Sequence, residues 1–468
     1  MTLTRAKLAF ALMLSVGCGG APEPAHNGAT GRVAAKDAVT VGIKLHNETF
    51  TLPNGLVVVL HREATQHSIY VAVHYDVGSK DDPTGRAGLA HLFEHLMFKA
   101  PKHGAGKSVH GLLEEAGTHV NAYTNHDETL YHDTLPPSQL ARALWLEADR
   151  MAYPAATVDA AILAKEREVV LNEWRERYEN QPYGHVRAAA AREIFGSSHP
   201  YGLPTIGLPD ELAAITLDDA RNFARTYYRP NNATLVIVGA FDPKLTRELV
   251  EKYFATIPPG PPIPARTFPA PRVEKSRTVN IAADVKATMV VMAWAAPREH
   301  GDGWEPLRLG VDLFESFARW RLVKSMEIAD DVDVDLHGGK LGSMVLVRAK
   351  LKPGTSPDSA ISAIERELRD TSRLGTDYHY DRFPDMKTRM VVRAVARLDA
   401  LDNRAEALIH SLAFHGVPDA VQDDLRLLQA VRPVDVGGVV EQIVREKPRV
   451  TLLVNPTPGA PRAGKVVR

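Results

Sequence analysis

The segment Ile257-Pro-Pro-Gly-Pro-Pro-Ile-Pro-Ala265 sets the strongest limit on what this chain can fold into. Its prolines remove backbone donors and fix φ, so it can be neither a helix nor a central strand. It divides the 468 residues into two stretches, each long enough for a domain of its own. Before it, the turn dipeptide Asn54-Gly55 feeds a β-branched run to Leu60, and further strands read at 68–75, 119–134 and 233–239. Helical periodicity marks 109–116, 137–151, 158–178 and 217–228. After it, a strand at 288–294, a helix at 307–326, a strand at 341–351 and a helix at 359–369 repeat the earlier order. This faint duplication sets Gly338–Val347 opposite Gly117–Thr129. We expect an N-terminal domain at 39–256, a linker at 257–268 and a homologous domain at 269–460.

The first residues differ from the rest. Arg5 and Lys7 precede the apolar run Leu8–Leu14, then Ser15-Val-Gly-Cys18-Gly-Gly, the layout of a secretory signal and too short to span a bilayer. Cys18, the only cysteine, resembles the lipid-attachment cysteine of bacterial lipoproteins, although Ser15 stands where those signals usually carry leucine. We expect a signal over 1–18, a flexible tether over 19–38 and an exported protein of the bacterial envelope or periplasm, with membrane contact only through such an anchor. With one cysteine there is no internal disulfide, and core packing must hold the fold. A net charge of −1 and no basic run exclude a general pull towards nucleic acid.

Chemistry concentrates in Ala87–Phe98. Leu89, Leu92, Phe93, Leu96 and Met97 recur at the helical period and form a buried stripe. His91 and His95, four apart, project side by side as two nitrogen ligands of one metal need. Glu94 stands between them, placed to take a proton from a metal-bound water, in the H-x-x-E-H order. The helix at 158–178 offers Glu166, Glu168, Glu173, Glu176 and Glu179; Glu166 and Glu173, seven apart, share a face. Spacing alone does not choose among them. The second half has no counterpart of His91, Glu94 or His95, so one metal site per chain is expected.

From Arg86 to Phe98 the chain matches R-x-G-L-A-H-x-x-E-H-x-x-F. It also carries Asn121, Ala122, Thr124, Asp127, Thr129 and Tyr131 as N-A-x-T-x-x-D-x-T-x-Y, with Glu166–Glu173, His199–Gly202 and Tyr228–Asn232 as further segments. Together these resemble the pitrilysin/insulinase family of zinc peptidases, in the two-domain group of the mitochondrial processing peptidases, over about Val41–Asn455. The resemblance implies an α+β fold of two structurally similar domains, each a mainly antiparallel β-sheet packed with helices, forming half of a clamshell. It implies one zinc ion held by His91, His95 and Glu173, with Glu94 as base and Glu166 supporting the site. Asn121 and Ala122 would lie on an edge strand that binds extended peptide substrates.

One departure bears on assembly. Active members of the family use an arginine and, seven residues on, a tyrosine from the second half or a partner subunit. Here 319–332 holds no tyrosine, and Arg321 resembles the structural arginine at the start of its helix. We therefore expect a zinc endopeptidase subunit that depends on a homologous partner, in a heterodimer or homodimer. A peptide-binding or assembly component of the same fold is the second reading, disfavoured because such relatives usually lose the residues kept here at His91, Glu94, His95 and Glu173. A zinc hydrolase of non-peptide substrates is the third.

Overall fold

Gly55 sits at a φ of +90°, where a side chain is poorly tolerated, and lets β1 (Glu48–Thr51) fold back on β2 (Val57–Arg62) with Glu48 opposite Leu60. The Asn54 amide donates to the carbonyls of Phe254 and Ile257 at 2.8 and 2.9 Å, fastening this turn where the proline segment begins. The computed structural model describes residues 42–467 except 100, 105–106, 116, 155, 157, 272, 376–380 and 382; Cys18, the signal and the tether lie outside the described residues.

The chain continues through β3 (Ile69–Tyr75), α1 (Leu89–Met97), α2 (Val109–Glu114), β4 (His119–Thr124) and β5 (Thr129–Leu135). Helices α3 (Leu140–Ala152), α4 (Ala160–Trp174), α5 (Val186–Phe195), α6 (Pro209–Ala214) and α7 (Leu217–Tyr227) precede β6 (Ala233–Gly239) and α8 (Pro243–Phe254). Residues 258–271 carry neither helix nor strand. Then come β7 (Arg277–Ala283), β8 (Met289–Ala296), α9 (Trp304–Arg319), β9 (Ala329–His337), β10 (Ser343–Leu351) and α10 (Pro357–Ser372). Helices α11 (Phe383–Arg397), α12 (Leu401–His415), α13 (Val421–Ala430) and α14 (Pro433–Val440) lead to β11 (Val450–Pro456) and β12 (Lys465–Val467).

Two six-stranded sheets result, ordered β1-β2-β6-β3-β5-β4 and β12-β7-β11-β8-β10-β9. Only β2 with β6 and β7 with β11 run parallel; the other pairs are antiparallel. The fold is thus the expected α+β pair of mainly antiparallel sheets packed with helices. The duplication is real at the level of strand order, but its register differs from the sequence reading. The counterpart of β4 is β9, and Gly338–Gly342 fall in the turn after it, opposite Asn125–Glu128. Four aspartates at 330, 331, 333 and 335, a residue depleted in strands, hid β9, although its buried residues Ala329, Val332 and Val334 alternate with outward acids.

Each sheet borrows a helix from the other half. One face of the first sheet packs Val71, Val73 and Ile237 against Leu92, Phe93 and Leu96 of α1 and Leu144 of α3. Its other face, with Val59, Tyr70, Ala72 and Val236, is covered by Leu401, Ala405, Leu408 and Ile409 of α12. That is why all seven residues of β3 are buried. In return, Val186, Ala190 and Ile194 of α5 cover Val291, Ala293 and Leu346 of the second sheet.

Polar contacts also join the halves. The Tyr201 hydroxyl donates to Asp127 Oδ2 at 2.5 Å and accepts from the Leu341 backbone N–H at 3.2 Å, while the Lys340 N–H donates to the same carboxylate at 3.0 Å. Replacing Tyr201 by Phe leaves both Asp127 and Leu341 one partner short in a buried place. We expect a loss of about 1–3 kcal/mol, read as a lower urea midpoint at unchanged slope.

Candidate metal centre

The metal helix is aimed by its first turn. Gly88 has a φ of +96°, and a Cβ there would come within 2.5 Å of the Ile206 carbonyl, so only glycine admits this approach. The Asp82 carboxylate accepts from the backbone N–H of Gly88 at 2.7 Å and of Ala90 at 2.8 Å, satisfying donors that a helix start leaves without partners. Arg86 Nε donates to Asp219 at 2.8 Å and ties this turn to α7. From there the expected stripe of Leu89, Leu92, Phe93, Leu96 and Met97 is buried.

On the other stripe, His91 and His95 stand with ring centroids 4.9 Å apart. Helix α4 crosses α1 with Leu163 and Val170 buried and Glu166 and Glu173 on the facing side. Glu173 Oε1 lies 3.9 Å from His91 Nε2, and Glu173 Oε2 lies 3.5 Å from His95 Nε2. Ligand atoms of these three residues all fall within 4.8 Å of one another. Neighbouring ligands on a tetrahedral zinc with arms of about 2 Å are about 3.3 Å apart, so the set fits zinc in chemistry and spacing. The buried Nδ1 of His91 has no hydrogen-bond partner.

Glu166, nearly fully buried, brings Oε2 to 3.8 Å from His95 Nδ1 and 3.2 Å from Lys99 Nζ. The ring nitrogen it faces is the one turned away from Glu173, and Oε2 itself makes no hydrogen bond. Glu94 takes no part in the three-residue set. Its Oε2 accepts a 2.6 Å hydrogen bond from the Thr124 hydroxyl on β4. Burial, then the His95 charge, pushes His91 down to about 4, so the ring offers lone pairs. The hydrogen bond to His95 holds Glu173 below its ordinary value, and burial raises Glu94. Neutral imidazole and ionised carboxylate are the forms that a metal requires.

These groups open into a cavity of about 600 Å³ whose wall includes Asn121 and Ala122. Among the described residues β4 is the edge of its sheet, and no strand pairs with its outer backbone groups. Asn121 is exposed, and its Oδ1 accepts from the Ala122 N–H at 2.9 Å. The sequence reading gave no role to Arg177, Tyr178, Arg187 or Tyr201, which share this wall. Arg177 pairs with Glu173 at 2.8 Å, a contact legible as a four-residue helical spacing; Arg187 donates to His337 Nδ1 at 2.9 Å across the two halves and left no local signal. Arg321 corrects an expectation. It lies past the far end of α9, in the π-helical segment Trp320–Ser325, and pairs with Glu367 and, at 3.7 Å, Asp370.

A two-sheet fold whose first half carries a His-His-Glu cluster and a neighbouring glutamate on crossing helices defines a class of metallopeptidase-like proteins. Helix α9, which follows β8 as α1 follows β3, contains no histidine. The sequence model described as Insulinase (Peptidase family M16) matches residues 57–207, and that described as Peptidase M16 inactive domain matches 214–382. The chain belongs to the M16 peptidase family. It is 31% identical over 272 residues to the zinc protease PqqE of Helicobacter pylori, covering 55% of this chain and 60% of that one. It is 28% identical over 236 residues to a probable mitochondrial-processing peptidase subunit beta of Schizosaccharomyces pombe, covering 50% of each. The matches thus span half to three-fifths of these relatives. Among solved structures, a protease from Helicobacter pylori superposes with a TM-score of 0.82 at 23% identity, covering 88% of this chain and all of that one. The periplasmic protease PqqL from Escherichia coli gives 0.74 at 20%, covering 89% of this chain and 48% of that one.

Proposed function

We propose that the chain is a zinc-dependent endopeptidase subunit acting on extended, unfolded peptides. The carrying observation is that His91, His95 and Glu173 share one cavity with a separate carboxylate, Glu94, and with the free edge of β4. Zinc held by His91, His95 and Glu173 would supply Lewis acidity towards the scissile carbonyl and acidify a bound water. Glu94, fixed through one oxygen by Thr124, takes the water's proton and returns it to the leaving amine. Glu166 faces the His95 ring nitrogen turned away from Glu173. Asn121 and Ala122 sit where β4 would add a substrate strand, whose backbone bonds ignore most side chains. The described periplasmic relative and the N-terminal pattern support an exported bacterial protein; anchoring through Cys18 is part of the proposal.

The partner requirement rests on 319–332. That stretch has no tyrosine, and Arg321 is engaged with Glu367 and Asp370. The isolated chain should bind zinc yet cleave a panel of unstructured peptides about a hundred- to a thousand-fold more slowly than when mixed with a homologous subunit carrying the arginine and tyrosine. Brisk turnover by the isolated, monodisperse chain would remove the partner, whereas no cleavage in either state would remove the peptidase reading.

A further inference from the structure

A second group of metal-type side chains lies away from the first. His300 follows β8, His410 and His415 lie on α12, and Asp424 lies on α13, so three separate segments converge. The His300 ring is 4.8 Å from that of His410 and 4.7 Å from that of His415, centroid to centroid. Asp424 Oδ1 stands 3.5 Å from His300 Nδ1 and 3.1 Å from His415 Nε2. These spacings bracket the edge of about 3.3 Å expected for a tetrahedral zinc sphere. This carboxylate oxygen is buried and makes no well-directed hydrogen bond, the state of a ligand aimed at a point between its neighbours.

Two further observations point the same way. His300 adopts a φ of +53°, a left-handed conformation that costs free energy in any residue but glycine and gathers at functional sites. On the opposite side, Glu299 Oε1 lies 3.2 Å from His410 Nε2, so that Glu299, His300 and His410 form a second trio of ligand-type groups that shares the His300 ring. Phe414 closes one side, its ring 4.9 Å from that of His300. An unmetallated network of surface histidines and acids could give similar distances. It would not require three separate segments to converge on one buried carboxylate oxygen.

We propose that His300, His415 and Asp424, with Glu299 and His410 adjoining, form a second site for a divalent transition ion of the zinc type. Its donors are imidazole nitrogen and carboxylate oxygen, a set that favours zinc over the oxygen-seeking calcium and magnesium. The site has a structural consequence. Helix α12 covers the first sheet, while His300 belongs to the turn that leaves the second, so the ion would clamp the borrowed helix to the half that lends it.

The test uses the full chain with the first site disabled by His95→Gln and Glu173→Gln. Titrated with zinc, and with cobalt as a spectroscopic probe, it should take up one ion per chain and gain thermal stability in proportion to occupancy. Adding His300→Gln and His415→Gln should abolish uptake and the thermal shift. Asp424→Asn, which keeps the side-chain shape, should weaken uptake at least tenfold with unchanged circular dichroism. The proposal is overturned if the first-site variant, folded by circular dichroism, takes up no ion, or if its uptake survives the loss of His300 and His415.

Discussion

Glu94→Gln should lower peptide hydrolysis by about a hundred- to ten-thousand-fold while leaving zinc content and melting temperature unchanged. Glu94 is 8% exposed and shares the cavity with the metal cluster, but the three residues whose ligand atoms converge are His91, His95 and Glu173. Glutamine keeps the shape and can still accept the Thr124 hydrogen bond through its carbonyl oxygen, so the site should close around it as before. What it cannot do is take a proton from water. His95→Gln is the control with a different signature: it removes one of three ligands, and activity should disappear together with the zinc held at this site, while uptake at the site proposed around His300 remains. Hydrolysis by Glu94→Gln within tenfold of wild type, or loss of zinc in that variant, would show that Glu94 is not the base.

The parts of this site that were legible in the sequence are those fixed by local period. The stripe from Leu89 to Met97 and the pairing of His91 with His95 follow from helical spacing, and both stand in the structure. Spacing placed Glu166 and Glu173 on one face but could not choose among five glutamates. In the fold, Glu168, Glu176 and Glu179 are exposed, and only the pair turned towards α1 meets the histidines. The apolar run of β3 read as a strand, yet nothing local showed why both its faces are buried, because the covering helix α12 arrives more than 300 residues later. Leu401, Ala405, Leu408 and Ile409 carry a helical stripe. Such a stripe states that a helix is covered on one side without naming the sheet that covers it. For the same reason the cluster at His300, His410, His415 and Asp424 has no motif: its geometry exists only after α12 has crossed to the other half.

Arg150→Met should cost about 3–5 kcal/mol, because it strands buried acids instead of removing a surface charge. Arg150 and Glu147 on α3 are each 2% exposed at the side chain, with Arg150 Nη2 donating to the Glu147 carboxylate. Asp133 on β5 is fully buried beside them, and neither of its oxygens has a hydrogen-bond partner. Burial, then the charge of Glu147, pushes Asp133 well above the usual carboxylate range, and Arg150 is the group that pulls it back. Without the guanidinium that upward shift grows. A folded-state value raised above the unfolded one means that the native chain takes up its proton first as pH falls. The Asp133 share of the penalty should therefore be largest at alkaline pH and be relieved as pH falls through its folded-state value, well above the usual carboxylate range. Arg150 also lies over the rings of Tyr131, 4.2 Å from the centroid, and Phe98, 5.4 Å away, and Phe98 sits at the end of α1 and in the wall of the metal cavity. The variant should accordingly lose zinc affinity along with stability. Urea unfolding across pH separates the causes: a loss that does not vary with pH would assign the role of Arg150 to packing on these two rings, whereas a loss relieved by acid, and recovered when Asp133 and Glu147 are also replaced by apolar residues, assigns it to charge.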